Sequence, residues 1–292
     1  MMTDAYQDIR KGEKGALLSL VAYVLLSVVK LFVGIFTQSE ALYADGLNNI
    51  SDIFTSVTVL IGLRIARKPP DENHPYGHLR AETIAALIAS FFMTAVGVDV
   101  LRQAIPKIFS PKLEHPDVTA GWTALAGAMI IYGVYRYNRH LGEKIKNQAL
   151  LAAAYDNRSD ALVSVGTFVG VMGSYFGFPW LDPFTATVIG LIILKTAWKI
   201  FWEAAHALSD GFEEDRLKEY RKKVSTTAGV REVLDIKARS MGNRVVLDVK
   251  VTVDPLLTTV ESHDIADRIE KQLMREAAVI EVHVHIEPDI KP

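Results

Sequence analysis

The chain is 292 residues long, half apolar and 23% charged, with no cysteine and a formal net charge of −2. Disulfide scaffolds and thiolate metal sites are thereby excluded, and the balance of acids and bases gives no sign of a nucleic-acid partner. That length fits one large domain or two smaller ones.

Mean hydropathy is +0.18, and the charges are unevenly placed: residues 212–292 carry 30 of the 66 Lys, Arg, Asp and Glu residues. Before them come six apolar windows, Ala16–Phe36, Ala41–Ala66, Glu82–Ile105, Val118–Tyr137, Asn147–Phe176 and Pro183–Ala205. Each is close to the ~20 residues that cross a hydrocarbon layer about 30 Å thick. The first continues past Lys30 with no small-residue cleavage site behind it, so it reads as a membrane helix and not as a removable signal. Arg10, Lys11 and Lys14 precede it, Arg64, Arg67, Lys68 and Arg80 flank the second connection, and Arg136, Arg139, Lys144 and Lys146 flank the fourth. Thr37–Glu40 and Gly177–Leu181 hold no Lys or Arg, and the third connection has only Lys107 and Lys112. The positive-inside rule then puts both termini in the cytoplasm. The absence of a targeting signal fits a bacterial inner membrane.

From Phe212 the pattern becomes that of a water-soluble unit. The periodicity predicts a helix over Glu213–Thr227, strands over Glu232–Arg239 and Arg244–Asp254 joined through Gly242 and Asn243, a helix over Glu261–Glu276 and a strand over Val279–Glu287. The expected fold is an α-helical membrane protein with six transmembrane helices in residues 1–211. A cytoplasmic α+β domain follows in 212–292, an αββαβ unit of ferredoxin-like or metallochaperone-like type with an antiparallel sheet.

The second window contains Asp45, Asn48, Asn49 and Asp52, which fall within a sector of about 100° at 100° per residue. A lone ionisable group at the bilayer centre costs about 2.5–3.5 kcal/mol on insertion scales, so the cluster implies a cavity or a partner. The fifth window repeats the device: Asp156 and Asp160 stack one turn apart while Arg158 points away. If Asn48 and Asp52 face Asp156 and Asp160, four oxygen donors meet, and three carboxylates would repel unless a cation or protons joined them. A proton relay or purely interhelical hydrogen bonding are the other uses of such a cluster. Asn48 cannot titrate, which favours a carbonyl ligand. Oxygen donors suit Mg, Ca or Mn, whereas zinc usually takes at least one nitrogen or sulfur, and neither window has a His. Because Mg²⁺ dehydrates reluctantly and Ca²⁺ takes six to eight oxygens, Mn²⁺ is the first expectation and Fe²⁺ the second.

These residues, with six spans and an αββαβ unit, resemble the cation diffusion facilitator family over nearly the whole chain. In that family the second and fifth spans each give two ligands to a tetrahedral intramembrane site, commonly Asp-x-x-x-Asp with His-x-x-x-Asp in zinc members. The matching positions are Asn48, Asp52, Asp156 and Asp160, a set similar to that of the bacterial manganese-exporting branch. Asp45 and Asn49 fall outside the ligand positions and are expected to orient ligands or line the access path. The resemblance implies a homodimer in the lipid bilayer that exports Mn²⁺ in exchange for protons by alternating access. It implies no resident cofactor and no enzymatic activity. Gly166, Gly170, Gly173 and Gly177 form two Gly-x-x-x-Gly spacings that suit close helix packing.

Two weaker sites follow from the same resemblance. Asp71, His74 and His78 lie in the connection after the second span, where some members carry a second metal site. In the cytoplasmic unit His263, His285 and Glu287 match ligand positions of zinc-binding relatives, but Leu234 and Lys250 stand where two further His would be. The competing readings are an exporter of Zn²⁺, Cd²⁺, Fe²⁺ or Co²⁺ on the same fold, an intramembrane metalloenzyme, and a metal sensor built on the soluble unit. The second needs a nucleophile or base beside the metal, and Ser51 and Ser159 are the only nearby hydroxyls. The third is weakened by the depleted His set.

Overall fold

The computed structural model describes residues 2–66, 68–109, 116–145, 148–242, 244–276 and 279–290. Arg67, Lys112, Lys146 and Asn243 of the sequence reading lie outside the described residues. Six long helices come first: α1 (Met2–Thr37), α2 (Glu40–Ala66), α3 (Ala81–Ile108), α4 (Val118–Ile145), α5 (Gln148–Tyr175) and α6 (Leu181–Leu208). Among the described residues, four of these helices contain stretches long and apolar enough to cross a membrane, Leu17–Thr37, Ala81–Ile108, Val118–Lys144 and Leu181–Leu208. α2 and α5, at 27 and 28 residues, are as long and carry the polar clusters. α1 and α4 run well beyond their apolar windows, because hydropathy marks the buried length of a helix whereas its hydrogen-bonded backbone continues into polar sequence until a breaker intervenes.

The chain divides into two compact units, Met1–Thr58 with Ala89–Lys199 and Val59–Ile88 with Ile200–Pro292. In the first, Ala22, Tyr23 and Leu26 of α1 pack with Ile131 and Val134 of α4 and Ala161 of α5, with Ile53 of α2 against them. A second cluster joins Ala41 and Leu42 of α2, Ala120 and Ala124 of α4 and Val171 of α5. α1 and α2 approach through glycine: a Cβ on Gly34 would lie 2.8 Å from the Tyr43 backbone nitrogen, and one on Gly46 2.9 Å from Leu31 Cδ2. On α5 the packing uses Gly170 and Gly173, whose added Cβ atoms would collide with Thr185 Oγ1 and Leu181 Cδ1 on α6. Gly166 and Gly177 face nothing within 4 Å. Among the described residues neither four-residue spacing contributes both its glycines to the contact with α6. The helix contact runs through the pair three residues apart.

The second unit holds α7 (Glu214–Ser225), β1 (Glu232–Met241), β2 (Arg244–Val253), α8 (Thr259–Leu273) and β3 (Val279–Pro288). The sheet order is β1-β2-β3; β1 pairs antiparallel with β2, but β3 pairs parallel with it. The expected antiparallel sheet is corrected to a mixed one. The physical reason is the connection, since a helix between β2 and β3 carries the chain back to the starting end, as parallel pairing requires. Gly242, at φ +61°, turns the β1–β2 hairpin. α8 begins earlier than its hydrophobic pattern because Thr258 and Glu261 form a capping box. Tyr220, Val224, Leu247, Val249, Val251, Ile269, Leu273 and Val282 fill the core.

α2 is held at its start by a carboxylate from another helix. Ser39 caps it by accepting from the Leu42 amide at 3.1 Å and donates to Asp182 Oδ1 at 2.6 Å. Asp182 Oδ2 accepts from the amides of Glu40 at 2.7 Å and Ala41 at 3.3 Å. A buried carboxylate on α6 thus satisfies orphan donors of α2, where the helix dipole also favours negative charge. Hydrogen bonds to charged groups are worth about 1.5–3 kcal/mol. Asp182→Ala is expected to lower thermal stability of the full-length protein in detergent by about 2 kcal/mol, and Asp182→Asn, which keeps an acceptor, by less; equal melting of Ala and native protein would contradict the capping role.

Candidate metal centre

Asn48 and Asp52 lie one turn apart on α2, and Asp160 faces them from α5. The Asn48 amide nitrogen lies 3.3 Å from Asp52 Oδ2 and 3.2 Å from Asp160 Oδ1, so its positive end bridges the two carboxylates. Tyr23 of α1 completes the tier. Its hydroxyl is 2.8 Å from Asn157 Oδ1 and also bonds Asp160 Oδ2; with one proton, it donates to one of them at a time. Asn157 in turn donates to Ser19 Oγ at 3.0 Å, which accepts from Asn138 at 2.8 Å. Asp156 is exposed, one turn from Asp160, and Arg158 is exposed as well. Among the described residues, Asp52, Asp156 and Asp160 do not bring three carboxylate oxygens within 4.8 Å of one another. Bringing all four predicted ligands onto one ion therefore requires side-chain movement among Asp52, Asp156 and Asp160.

Asp45 and Asn49 share the polar face but belong to a second tier. Lys30, fully buried on α1, places Nζ 2.9 Å from Asp45 Oδ1, 2.8 Å from Asn49 Oδ1 and 2.9 Å from Ser164 Oγ on α5. Sequence reasoning missed Lys30, Tyr23, Asn157 and Ser164. The available signal was a lysine within the first apolar window, since an ammonium in hydrocarbon demands an anion.

The loop triad is closed. Asp71 Oδ1 lies 3.1 Å from His74 Nδ1, Asp71 Oδ2 lies 3.5 Å from His78 Nε2, and one ligand atom from each residue fits within a 4.8 Å set. The His74 amide, followed by the other donors of the turn, holds the Asp71 carboxyl below the usual carboxylate range, so it stays anionic. His78 is largely buried, and its Nδ1 has no hydrogen-bond partner.

In the unit after α6 the three proposed ligands are not gathered within one chain. His263 pairs with Asp267 at 3.6 Å along α8, whereas Glu287 is taken by Lys250 at 2.6 Å, with His285 at 3.5 Å. The Lys250 ammonium keeps Glu287 below its ordinary pKa, and a cation there opposes a divalent ion.

Residues 16–209 match the cation efflux transmembrane domain, and residues 212–289 match the cytoplasmic domain of cation efflux proteins. The chain belongs to the cation efflux family. The resemblance to cation diffusion facilitators is thereby established, and with it a transporter of divalent metal cations, not an enzyme. The chain is 54% identical over 285 residues to the manganese efflux system protein MneS of Bacillus subtilis (strain 168), covering 98% of both chains. It is 31% identical over 290 residues to the manganese efflux system protein MneP of the same organism, covering 95% of this chain and 96% of that one. It is also 27% identical over 259 residues to the magnetosome protein MamB of Magnetospirillum gryphiswaldense, covering 88% and 87%.

On β3, His283 bridges Asp248 at 3.1 Å and Glu281 at 3.0 Å, and these bonds, Asp248 first, raise its pKa above the ordinary 6.5. A raised folded value means that the pairing stabilises the fold fully below pH 6.5 and is lost as pH rises through the higher folded value. Asp248→Asn is expected to lower the His283 midpoint, read from ¹³C-labelled histidine resonances of the full-length protein with His283→Gln for assignment. An unmoved midpoint would show that Asp248 does not hold the proton.

Proposed function

We propose that the chain exports Mn²⁺ from the cytoplasm in exchange for protons, with Asn48, Asp52, Asp156 and Asp160 as the ligands of the transported ion. The observation that carries this reading is the Asn48 amide lying between Asp52 and Asp160. Its NH₂ group stands where a cation between two carboxylates would stand, and a half-turn about the Cβ–Cγ bond presents the carbonyl oxygen instead. The all-oxygen set suits a hard dication, and the manganese efflux relatives MneS and MneP support the choice of metal. Exchange for protons follows from the chemistry of such a site, because protonated carboxylates cannot ligate and a dication arriving from the other side expels the protons. In this reading all six long helices cross a bacterial inner membrane with both termini cytoplasmic, residues 1–211 form the transport domain, and 212–292 pair two copies into a homodimer. Export of Zn²⁺, Cd²⁺, Fe²⁺ or Co²⁺ is the alternative, and donor type decides between them.

Removing even a partner that only orients a metal ligand commonly costs about 10–100-fold in metal affinity. In proteoliposomes, Asp52→Ala and Asp160→Ala are expected to lower Mn²⁺ flux and the linked internal pH change at least ~10-fold. Asp156→His is expected to move the metal ranking towards zinc. Native flux in both alanine variants, or an unchanged ranking in the histidine variant, refutes the ligand assignment.

A second cation site at Asp71, His74 and His78 is favoured by the convergence of those three side chains. With one carboxylate and two imidazoles it suits Mn²⁺ or Zn²⁺, and its exposure fits ion capture from solution before transport. His74→Ala with His78→Ala is expected to remove one bound Mn²⁺ per chain while leaving flux at saturating Mn²⁺ intact; an undiminished count of bound ions overturns the second site.

A further inference from the structure

Lys30 is fully buried, and its three ammonium protons are all taken, by Asp45 Oδ1, Asn49 Oδ1 and Ser164 Oγ, each within 2.9 Å. Ser164 Oγ also lies 3.2 Å from Asp45 Oδ1. The acceptors repeat the arrangement of the candidate metal centre. Asp45 and Asn49 are spaced i and i+4 on α2, as Asn48 and Asp52 are, and Ser164 follows Asp160 by four residues on α5. Two helices thus present two successive tiers of oxygen donors, the second lying one turn nearer the α1–α2 turn. In that second tier Asp45 Oδ2 is buried with no hydrogen-bond partner, so one carboxylate oxygen has coordinating capacity beyond what Lys30 uses, whereas the unpartnered Asn49 Nδ2 is a donor and adds none.

We infer that Lys30 is a tethered cation occupying a second cation site of α1, α2 and α5, and that it thereby confines the transported ion to the tier of Asn48, Asp52 and Asp160. An ammonium bonded to three oxygens satisfies the charge of Asp45, and its covalent link to α1 prevents it from leaving with the cargo. A free dication reaching this tier meets a positive charge where the oxygens converge. Lys30 is on this account a specificity-determining and positioning residue: it sets how many ions the bundle holds and fixes α1 against α2 and α5. The inference rests on the proposal that the Asn48, Asp52 and Asp160 tier holds the transported ion.

The test counts Mn²⁺ bound to the full-length protein in lipid nanodiscs, by equilibrium dialysis with the free ion read by electron paramagnetic resonance. Lys30→Met, which keeps length and removes charge, is expected to bind one more Mn²⁺ per chain than the native protein. Lys30→Met with Asp45→Asn is expected to return to the native number, because the added site loses its carboxylate. Should Lys30→Met fail to fold, Lys30→Gln keeps an N–H donor for Asp45 without the charge and carries the same expectations. A native count in the folded single variant overturns the inference, as does an added ion that persists in the double variant. Asp160→Ala in the otherwise native chain separates the two proposals: losing one bound ion there supports the transport tier whatever Lys30 does, and losing none removes the transport tier while leaving the Lys30 counts to be read by themselves.

Discussion

A charge placed inside hydrocarbon has to find its partner on another helix, and the first unit is organised around that requirement. The ammonium of Lys30 has no water to solvate it, so it draws oxygens from α2 and α5 to within hydrogen-bond distance. Asp182 does the same at the start of α2, where its two carboxylate oxygens take the hydroxyl of Ser39 and the orphan amides of Glu40 and Ala41. Neither contact is replaceable by apolar packing, because lipid competes equally well for apolar surface but offers nothing to a charge. Polar partners therefore fix which helices meet, and small residues fix how closely. Gly34 and Gly46 let α1 and α2 approach to the point where a Cβ would collide, and that approach lets a lysine reach a carboxylate across the gap.

The two tiers differ in the permanence of their cation. Around Lys30 the positive charge is carried by the chain itself, 2.9 Å from Asp45 Oδ1. One turn along, the positive end bridging Asp52 and Asp160 is only the dipole of the Asn48 amide, at 3.2–3.3 Å. A neutral amide compensates two carboxylates weakly, so a dication or protons would compete well for its place, as the proposed transport role requires. Tyr23 adds a further exchangeable contact, since its hydroxyl can turn from Asp160 to Asn157 without losing its hydrogen bond.

Much of this was legible in the sequence. Helical periodicity alone put Asp45, Asn48, Asn49 and Asp52 on one face, and that face turns inward, with Asp52 half-buried and the other three buried. The division of the face into two tiers was not legible, because it depends on which residue of α1 stands opposite each position, and helix register across a bundle is a tertiary property. The glycines of α5 show the same limit: spacing identified a run of small residues but not which of them touch α6, and contact falls on Gly170 and Gly173. In the αββαβ unit the element types were readable from alternation and capping signals. The direction of β3 was set by the α8 crossover, which a strand pattern does not encode.

Lys250 shows how a departure from a family pattern can be read as chemistry. Its ammonium bonds Glu287 at 2.6 Å, so the position expected to hold a metal-binding imidazole supplies an internal cation to the neighbouring carboxylate. Lys30 with Asp45 and Lys250 with Glu287 thus show the same substitution in two different solvents. In each, an acid that would attract a dication is paired with a lysine of the same chain. The consequence differs with the dielectric. The exposed pair on the sheet is screened by water and salt and constrains little. Inside the helix bundle the Lys30–Asp45 pair is buried, so its attraction is screened far less and holds α1 against α2.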